Sequence, residues 1–462
     1  MSHWTDWNGI RVLVIGAARQ GIALARYLVL RGAQVILNDQ RPFEQLAEAR
    51  LALVNLPITW ACGGHPVEIL EGVNLVCPSG GVPLTLPVIV EAQRRGIPLS
   101  NDSQIFLEAC PCRTIGITGS AGKTTTTTLV GRMVTQALGE EHTWVGGNIG
   151  SPLLSVLDAI HPDDVAVVEL SSFQLEIMTV SVKIAAVLNI TPNHLDRHGT
   201  MEAYRRAKAR IVSQQTQADT VVLGRDDPGA WSLAAEAPGK VHSFGIKRPQ
   251  AGEPGTFVED EQVWVWDGQV AQPVLPIRSI PLRGEHNLQN VLAACAVAHA
   301  AGLPVEAMRA ATESFEGVPH RLELVRIWNG AAWYNDSIAT APERAMAAIR
   351  SFSEPIVLLA GGRDKNLPWG EFAELVHQRV DHLICFGEAA DLVYRAVGPV
   401  RLPGRPYSVE CCENLREAIQ AAARIAEAGD VVLLSPGGTS FDEFRDFEAR
   451  GEAYRKWVWE LT

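Results

Sequence analysis

Long apolar runs are missing from this sequence of 462 residues. No stretch reaches the ~18 uninterrupted apolar residues that a membrane-spanning helix needs, so we expect no membrane segment. The first residues, MSHWTDWNG, lack a basic segment followed by an apolar run, so we expect no export signal and a cytoplasmic protein. The most apolar helical candidate, residues 291–303, is short and Ala-rich and carries His299, which predicts a buried helix of a soluble protein.

Basic charge and cysteine are also scarce. Lys and Arg total 40 against 52 Asp and Glu, and the resulting net charge of −12 disfavours non-specific nucleic-acid binding, which needs a basic face. The eight cysteines are expected to be reduced thiols, as in the cytoplasm. The CPC at 110–112 and the CC at 411–412 are too closely spaced for an ordinary zinc site, so we interpret them as small buried apolar residues.

Strands and helices alternate along the chain, which predicts an α/β fold with parallel sheets. With 47% hydrophobic and 20% charged residues, the chain can bury several cores, and its length corresponds to about two to four domains. We expect a Rossmann-like domain over residues 1–108 and a central P-loop ATPase-type domain over 109–318, with a small β insertion at 241–282. A second Rossmann-like domain is expected over residues 319–462.

The first domain begins with a dinucleotide-type βαβ pattern. A strand at 12–15 is followed by the turn GAARQG at 16–21, a helix at 22–30 and a strand at 34–37 that leads into Asp39. Ala18 replaces the middle glycine of the fingerprint, so a close approach of the backbone to a pyrophosphate is less expected. An NAD-dependent dehydrogenase would use this motif, but that function would not explain the glycine-rich segment at 117–128.

The segment ITGSAGKTTTTT at 117–128 follows an apolar strand and opens a helix. Its glycines allow the backbone to turn around phosphates, Lys123 places a charge on them, and Thr124 offers a hydroxyl to Mg²⁺. Two residues separate Gly119 from Gly122, whereas the common form of this loop has four. The segment therefore predicts a nucleotide site and favours a narrower group of ATP users.

Two further polar residues follow neighbouring strands. Glu169 ends a strand at 165–170, and His194 follows the strand at 185–190. Because the carboxyl ends of parallel strands meet at one edge of a sheet, these side chains are candidate metal ligands beside the phosphate loop. Lys208, on a basic helical face at 201–213, would by itself be interpreted as a solvated charge.

In combination the motifs resemble the Mur ligases of peptidoglycan synthesis, over the whole chain. The matching segments include TGSAGKT at 118–124, GGNIG at 146–150, NHLDR at 193–197, PHRLE at 319–323 and NDS at 335–337. Two longer segments resemble those of the family members that join D-glutamate to UDP-N-acetylmuramoyl-L-alanine. They are ELSSFQLE at 169–176 and LLSPGGTSFDEFRDFEARG at 433–451. The resemblance implies ATP, two Mg²⁺ ions and a carbamylated Lys208, and an acyl-phosphate intermediate formed from the alanyl carboxylate.

The resemblance also implies site residues. The UDP-sugar would contact Arg19, Gln20, Asp39, Gln40, Arg41, Ser79, Asn148 and Ser171. ATP would contact Gly119, Ser120, Ala121, Gly122, Lys123, Thr124, Thr125, Asn287, Asn290, Arg321 and Asp336. D-glutamate would contact Thr340, Lys365, Ser440 and Phe447. The metal ligands would be Thr124, Glu169, His194 and carbamylated Lys208, and the catalytic residues Lys123, His194, Lys208 and Arg321.

The chain departs from the family pattern at a few positions. Ala121 stands where these ligases usually carry Asn, and Gly437-Gly438-Thr439 varies from the usual run of small residues. Ile338 and Ala341 replace the Lys and Asn of the usual NDSKATN segment. A cation near ATP or the acyl phosphate is then missing, and Arg344 or Arg363 would substitute for it.

Other functions remain open at this point. Another amide ligase of the same superfamily is the nearest alternative, although folate-extending members lack an N-terminal dinucleotide-like unit. A non-catalytic nucleotide-binding regulator would leave Glu169, His194 and Lys208 without a role. We expect a monomer, because the edge-forming elements show no obvious apolar excess.

Overall fold

The computed structural model describes residues 6–400 and 403–462, except the side chain of Asp196. The chain forms two compact units. One runs up to Ile280 and includes Glu285–Ser314, and the other consists of Pro281–Gly284 and Phe315–Thr462.

The first unit begins with a parallel sheet of order β3-β2-β1-β4. Its elements are β1 (Arg11–Ile15), α1 (Arg19–Leu30), β2 (Gln34–Asp39), α2 (Ala47–Ala52), β3 (Ile58–Cys62), β4 (Leu75–Pro78), α3 (Pro87–Arg94) and α4 (Asp102–Ala109). Alternate residues of β1 enter different cores: Val12 and Val14 pack with α1, whereas Leu13 and Ile15 pack with α3. The predicted βαβ unit is confirmed, with α1 starting three residues before the predicted helix.

A longer sheet follows in the same unit, with the order β13-β12-β11-β10-β9-β8-β5-β7-β6. Its strands are β5 (Arg113–Thr118), β6 (Thr143–Gly147), β7 (Val165–Glu169), β8 (Ile184–Val187), β9 (Thr220–Gly224), β10 (Lys240–Phe244), β11 (Gly255–Glu259), β12 (Gln262–Trp266) and β13 (Ala271–Pro276). The helices are α5 (Lys123–Leu138), α6 (Ser172–Leu175), α7 (Leu195–His198), α8 (Met201–Ser213), α9 (Pro228–Trp231), α10 (Glu285–Ala300) and α11 (Val305–Glu313). Because β7 and β8 flank β5, their carboxyl ends meet at the phosphate loop.

The predicted β insertion continues this sheet and does not form a sheet of its own. Strand β10 pairs in parallel with β9, and β11 pairs in parallel with β10. Strands β12 and β13 add antiparallel neighbours. The predicted buried helix is confirmed in α10, where every residue from Asn290 to Ala298 is buried.

The second unit contains a sheet of order β14-β15-β19-β16-β17-β18, parallel except for the β14–β15 pair. Its strands are β14 (Glu323–Trp328), β15 (Ala331–Asn335), β16 (Ile356–Gly361), β17 (His382–Phe386), β18 (Ser408–Cys412) and β19 (Val431–Gly437). The helices are α12 (Pro342–Arg350), α13 (Gly370–Arg379), α14 (Ala390–Val397), α15 (Leu415–Ile425) and α16 (Phe447–Trp459). Successive residues of β16 face opposite cores, which cover both faces of the sheet.

Two expectations about the chain as a whole can be compared with the structure. Among the residues that the structure describes, no helix is long and apolar enough to cross a membrane. All eight cysteines are free thiols. The Sγ atoms of Cys110 and Cys112 lie 3.4 Å apart without a covalent bond.

Candidate active site

The loop between β5 and α5 has the geometry of a phosphate-binding loop. Gly122 adopts a φ of 82°, and a Cβ atom there would lie 2.2 Å from Oδ1 of Asn290, so the position requires glycine. The ammonium group of Lys123 donates to the carbonyl oxygens of Gly119 at 3.0 Å and Ser120 at 3.4 Å. Within the described residues no side chain caps the N-terminus of α5, which is where an anion would bind.

The segment after β8 fixes the shape of this loop. The backbone N–H of Ser120 donates to the carbonyl oxygen of Asn189 at 3.0 Å, and the N–H of Ala121 donates to Oδ1 of the same residue at 2.8 Å. The hydroxyl of Ser120 donates to the carbonyl oxygen of Thr191 and accepts from the phenol of Tyr204 at 3.0 Å. Asn189 therefore holds the loop at Ser120 and Ala121.

A carboxylate lies directly beside the loop. The hydroxyl of Thr124 donates to Oε2 of Glu169 at 2.8 Å, and the side-chain amide of Asn148 donates to Oε1 at 2.9 Å. Glu169 is only 1% exposed, so its charge is placed where water does not screen it well. A buried carboxylate and a hydroxyl are oxygen donors of the kind that Mg²⁺ prefers, so this pair fits the ion.

Lys208 does not lie on a solvated face. Its side chain is 1% exposed, and the amine donates to the carbonyl oxygen of Gly119 at 2.8 Å and to the hydroxyl of Thr118 at 3.3 Å. Burial and the nearby charge of Lys123 lower the pKa of Lys208 well below its ordinary value, although Glu169 acts in the opposite direction. Both burial and the charge of Lys123 therefore act in favour of the neutral form of the amine.

The structure also describes the other predicted ATP and metal residues of the first unit. His194 adopts a φ of 53° before α7, and its ring centre lies 5.1 Å from that of Phe173. Near the start of α10, the side-chain amide of Asn290 donates to Oδ1 of Asn287 at 3.1 Å. Thr125 is buried in the first turn of α5. The described part of the chain contains no group of three or more His, Cys, Asp or Glu side chains that could hold a metal ion.

In the N-terminal sheet, Asp39 holds the fingerprint turn. Its carboxylate accepts from the N–H of Ala17 at 2.8 Å and from the guanidinium of Arg41 at 3.0 Å. Burial by itself raises the pKa of Asp39, but these hydrogen bonds outweigh it and lower the pKa to about 2. Arg19, at the start of α1, and Gln40, after β2, are exposed to solvent.

Three further predicted residues lie where the two sheets of the first unit meet. The amide of Gln20 donates to the carbonyl oxygen of Gly147 at 3.1 Å. Ser79 packs so closely on Gly16 that a Cβ atom there would lie 2.8 Å from the Ser79 hydroxyl. Ser171 caps α6 through a reciprocal pair of hydrogen bonds with Gln174.

A cavity of about 190 Å³ opens between these segments of the first unit. It combines hydroxyl, amide, carboxylate and guanidinium groups, so it can accept a polar ligand. Its lining includes Ser79, Asn101, Phe173, Gln174, Glu176 and Arg197.

In the second unit, Asp336 follows β15 and is buried. Its carboxylate accepts from the hydroxyl of Ser435 at 2.8 Å and from the N–H of Leu322 at 3.3 Å. Burial raises the pKa of Asp336 to about 7, although Ser435 and the charge of Arg321 act in the opposite direction. Arg321 itself lies in a tight turn between His320 and Leu322, both with positive φ.

The loops after β15, β16 and β19 carry the predicted D-glutamate residues. The ammonium of Lys365 donates to the hydroxyl of Thr340 at 3.3 Å, which brings two of them together. Burial and the charge of Arg344 lower the pKa of Lys365. Arg363 forms two 2.8 Å hydrogen bonds with Glu388, so its charge is already paired.

Ser440 is buried after β19, and Phe447 is the first residue of α16. The carbonyl oxygen of Phe447 accepts from the hydroxyl of Ser337 at 2.8 Å. Sequence reasoning gave no role to Asn189 or to Arg450, which is buried below these loops. Arg450 lies inside the motif segment at 433–451, whereas Asn189 lies in the strand expected at 185–190, before the NHLDR segment.

Comparison with known proteins assigns the chain to a family. The family model for the Mur ligase middle domain matches residues 117–298, and that for the Mur ligase glutamate ligase domain matches residues 320–438. The model described as Mur ligase MurD-like, N-terminal domain, matches residues 10–101. The chain therefore belongs to the Mur ligase family of enzymes.

Within the family, the chain is similar over nearly its full length to proteins named UDP-N-acetylmuramoylalanine–D-glutamate ligase. The protein of Symbiobacterium thermophilum is 42% identical, over 98% of both chains. That of Pelotomaculum thermopropionicum is 40% identical, over 99% of both chains.

Solved structures confirm the three-domain α/β fold. The UDP-N-acetylmuramate-alanine ligase MurC of Thermotoga maritima has a TM-score of 0.58 at 17% identity and covers 98% of this chain and 99% of its own. MurF of Acinetobacter baumannii has a TM-score of 0.57 at 18% identity and covers 99% of this chain and 92% of its own.

Proposed function

We propose that the protein is an ATP-dependent, ADP-forming ligase that joins D-glutamate to UDP-N-acetylmuramoyl-L-alanine. The reaction belongs to the cytoplasmic synthesis of peptidoglycan precursors, and the protein acts as a monomer. The similarity to two ligases of this name, at 42% and 40% identity over nearly the full chain, is the observation that carries the choice of substrates. The geometry at the phosphate loop supports the use of ATP.

In the first step, the alanyl carboxylate attacks the γ-phosphorus of ATP, and ADP leaves with the bonding electron pair. Lys123 and the N-terminus of α5 lie where they offset the charge on the phosphates. Thr124 and Glu169 would hold Mg²⁺, with His194 as a further ligand, and the bound ion would neutralise phosphate charge. The family resemblance implies a further positive charge on the phosphates from Arg321.

In the second step, the amine of D-glutamate attacks the acyl carbon, and phosphate leaves as the amide forms. The acceptor has two carboxylates, which require cations and hydrogen-bond donors. Lys365, Thr340 and Ser440 supply an ammonium group and two hydroxyls on neighbouring loops. Asp39 and Arg41 would hold the uridine end of the other substrate.

We propose in addition that Lys208 is carbamylated and supports a second Mg²⁺. Its neutral amine would attack the carbon of CO₂, form an N–C bond and release a proton, which leaves a carbamate anion. The buried position and the lowered pKa of Lys208 support this reaction, because only the neutral amine is a nucleophile.

The experiment is phosphate release from ATP and Mg²⁺ with UDP-N-acetylmuramoyl-L-alanine, comparing D-glutamate with L-glutamate, L-lysine and meso-diaminopimelate. We expect release only when the nucleotide sugar and D-glutamate are both present. Release with a different amino acid would assign another acceptor within the family. Absence of release with every acceptor, in a folded sample that binds ATP, would favour a binding-only protein.

A further inference from the structure

Arg450 in α16 has a guanidinium group that is completely buried, with 0% of the residue exposed. It makes four hydrogen bonds, all to loops that follow strands. Nε donates to the hydroxyl of Ser337 at 3.0 Å, and Nη1 donates to the carbonyl oxygen of Thr439 at 2.9 Å. Nη2 donates to the carbonyl oxygens of Ser337 at 2.9 Å and Gly438 at 3.1 Å.

The acceptors of these bonds are all neutral oxygens. In the part of the chain that the structure describes, no carboxylate forms an ion pair with Arg450. Burial lowers the pKa of Arg450 to about 10, with Asp442 and Glu443 acting weakly in the opposite direction, so the group stays cationic at neutral pH. A buried charge without a counterion is costly, so an anion bound nearby would gain from it.

The bonded loops are those that carry the predicted acceptor residues. Ser337 lies three residues before Thr340, and Thr439 directly precedes Ser440. The backbone of Thr439 also exchanges two hydrogen bonds, of 2.9 and 2.8 Å, with that of Arg363, which begins the loop of Lys365. The hydroxyl of Ser337 also donates to the carbonyl oxygen of Phe447, which connects the fourth predicted acceptor residue to the same loops.

We propose that Arg450 is a positioning residue of the acceptor site. It fixes the loops at 337–340 and 437–440 relative to each other, and its charge makes the site favourable for a dicarboxylic amino acid. The inference rests on the proposed function, because it takes D-glutamate as the ligand of these loops.

Two further observations support this role. The charge of Arg450 contributes to the lowered pKa of Lys365, after burial and Arg344, so it acts at the predicted acceptor residue. Gly362 also packs directly against the bond between Arg450 and Thr439, because a Cβ atom at Gly362 would lie 2.2 Å from the carbonyl oxygen of Thr439 and 2.8 Å from Nη1 of Arg450.

The test is Arg450→Lys in the full-length protein, with steady-state kinetics for each substrate. An ammonium group retains the charge but cannot bridge both loops, so we expect the KM for D-glutamate to rise about tenfold or more. The KM values for ATP and the nucleotide sugar should stay within about twofold, since the phosphate loop is untouched. Arg424→Lys is the matched control, because the side chain of Arg424 is 61% exposed and bonds to Glu410 at 2.9 Å.

Ser337→Ala is the milder variant and decides the matter if Arg450→Lys does not fold. It removes the hydroxyl that joins Nε of Arg450 to Phe447, and we expect a several-fold rise in the KM for D-glutamate. Equal changes in all three KM values, or a lower kcat with an unchanged KM for D-glutamate, would overturn the inference. A wild-type protein without phosphate release that depends on D-glutamate would instead overturn the proposed function, and this inference with it.

Discussion

The hydroxyl of Thr124 donates a hydrogen bond to Glu169 across 2.8 Å, which joins the phosphate loop to the end of the neighbouring strand β7. Glu169→Gln keeps the shape and an acceptor for this bond but removes the charge that, in the proposed function, would hold Mg²⁺. We expect kcat to fall by at least about 100-fold, because stabilisation of the transferring phosphoryl group is lost. Steady-state rates over a range of Mg²⁺ concentrations measure this effect. The matched change Glu202→Gln, at a side chain 66% exposed, should leave the rate unchanged, and an unaltered rate in Glu169→Gln would contradict the assigned role.

Lys208 leads to a prediction about CO₂. Activity should fall in CO₂-depleted buffer and return when bicarbonate is added, because the neutral amine reacts reversibly with CO₂. Lys208→Ala should lower kcat by about 100-fold and abolish the response to bicarbonate. Enrichment with ¹³CO₂ should give a carbamate signal in ¹³C NMR of the wild type that Lys208→Ala lacks. Lys183→Ala, at a side chain 66% exposed, is the control, and a wild type with neither signal nor response to CO₂ would exclude carbamylation.

Ile338 stands where the family usually has lysine, and the structure distinguishes the two candidate replacements. Arg363 is paired with Glu388, whereas the charge of Arg344 lowers the pKa of Lys365. We therefore expect Ile338→Lys to change turnover by less than about twofold, since a cation is already present. Arg344→Met should lower kcat about tenfold, because the charge it is expected to replace lies near ATP or the acyl phosphate.

The control for this pair is Arg350→Met, an exposed arginine in the last turn of the same helix α12. A clear gain in turnover with Ile338→Lys would mean that the cation is missing and that Arg344 does not replace it.

The lowered pKa of Asp39 predicts how the stability of the protein changes in acid. Its pKa is about 2 in the folded protein against an ordinary 3.8, so the unfolded chain binds more protons between these values. The stabilisation is therefore complete above the ordinary pKa and is lost as the pH falls towards about 2. The difference in Tm between wild type and Asp39→Asn should be positive at neutral pH and shrink below about pH 4. Asp158→Asn, at a side chain 84% exposed, should show little such dependence, and a constant difference for Asp39 would contradict this account.

The sequence predicted the elements whose patterns are local. Buried strands such as β1, β7 and β19 are continuous apolar runs, and the turns after them contain glycines that the backbone conformation requires, as at Gly122. Strands β3, β6, β14, β15 and β18 were not predicted, and all of them except β15 lie at the edge of their sheets. An edge strand is only partly buried, so its residues lack the apolar pattern that identifies a central strand.

The residues of the candidate site also divide into those with a local sequence pattern and those that depend on distant contacts. The phosphate loop and Glu169 were predicted from residues next to strands, whereas Asn189 and Arg450 depend on contacts across 68 and 113 residues. Such contacts leave no periodic signal in the sequence. Lys208 was recognised only through the family resemblance, because its burial depends on how α8 places its amine beside Thr118 and Gly119. The domain boundaries at 108/109 and 318/319, like the ligand contacts of the individual residues, stay predictions.

Oxygen transfer tests the central claim most directly. UDP-N-acetylmuramoyl-L-alanine labelled with ¹⁸O in its alanyl carboxylate is incubated with the protein, ATP, Mg²⁺ and D-glutamate, and the released phosphate is analysed by mass spectrometry. Attack of the carboxylate on the γ-phosphorus predicts one ¹⁸O atom in each phosphate formed, and the other retained in the new amide. Unlabelled phosphate, formed at the same rate as the amide, would contradict an acyl-phosphate mechanism.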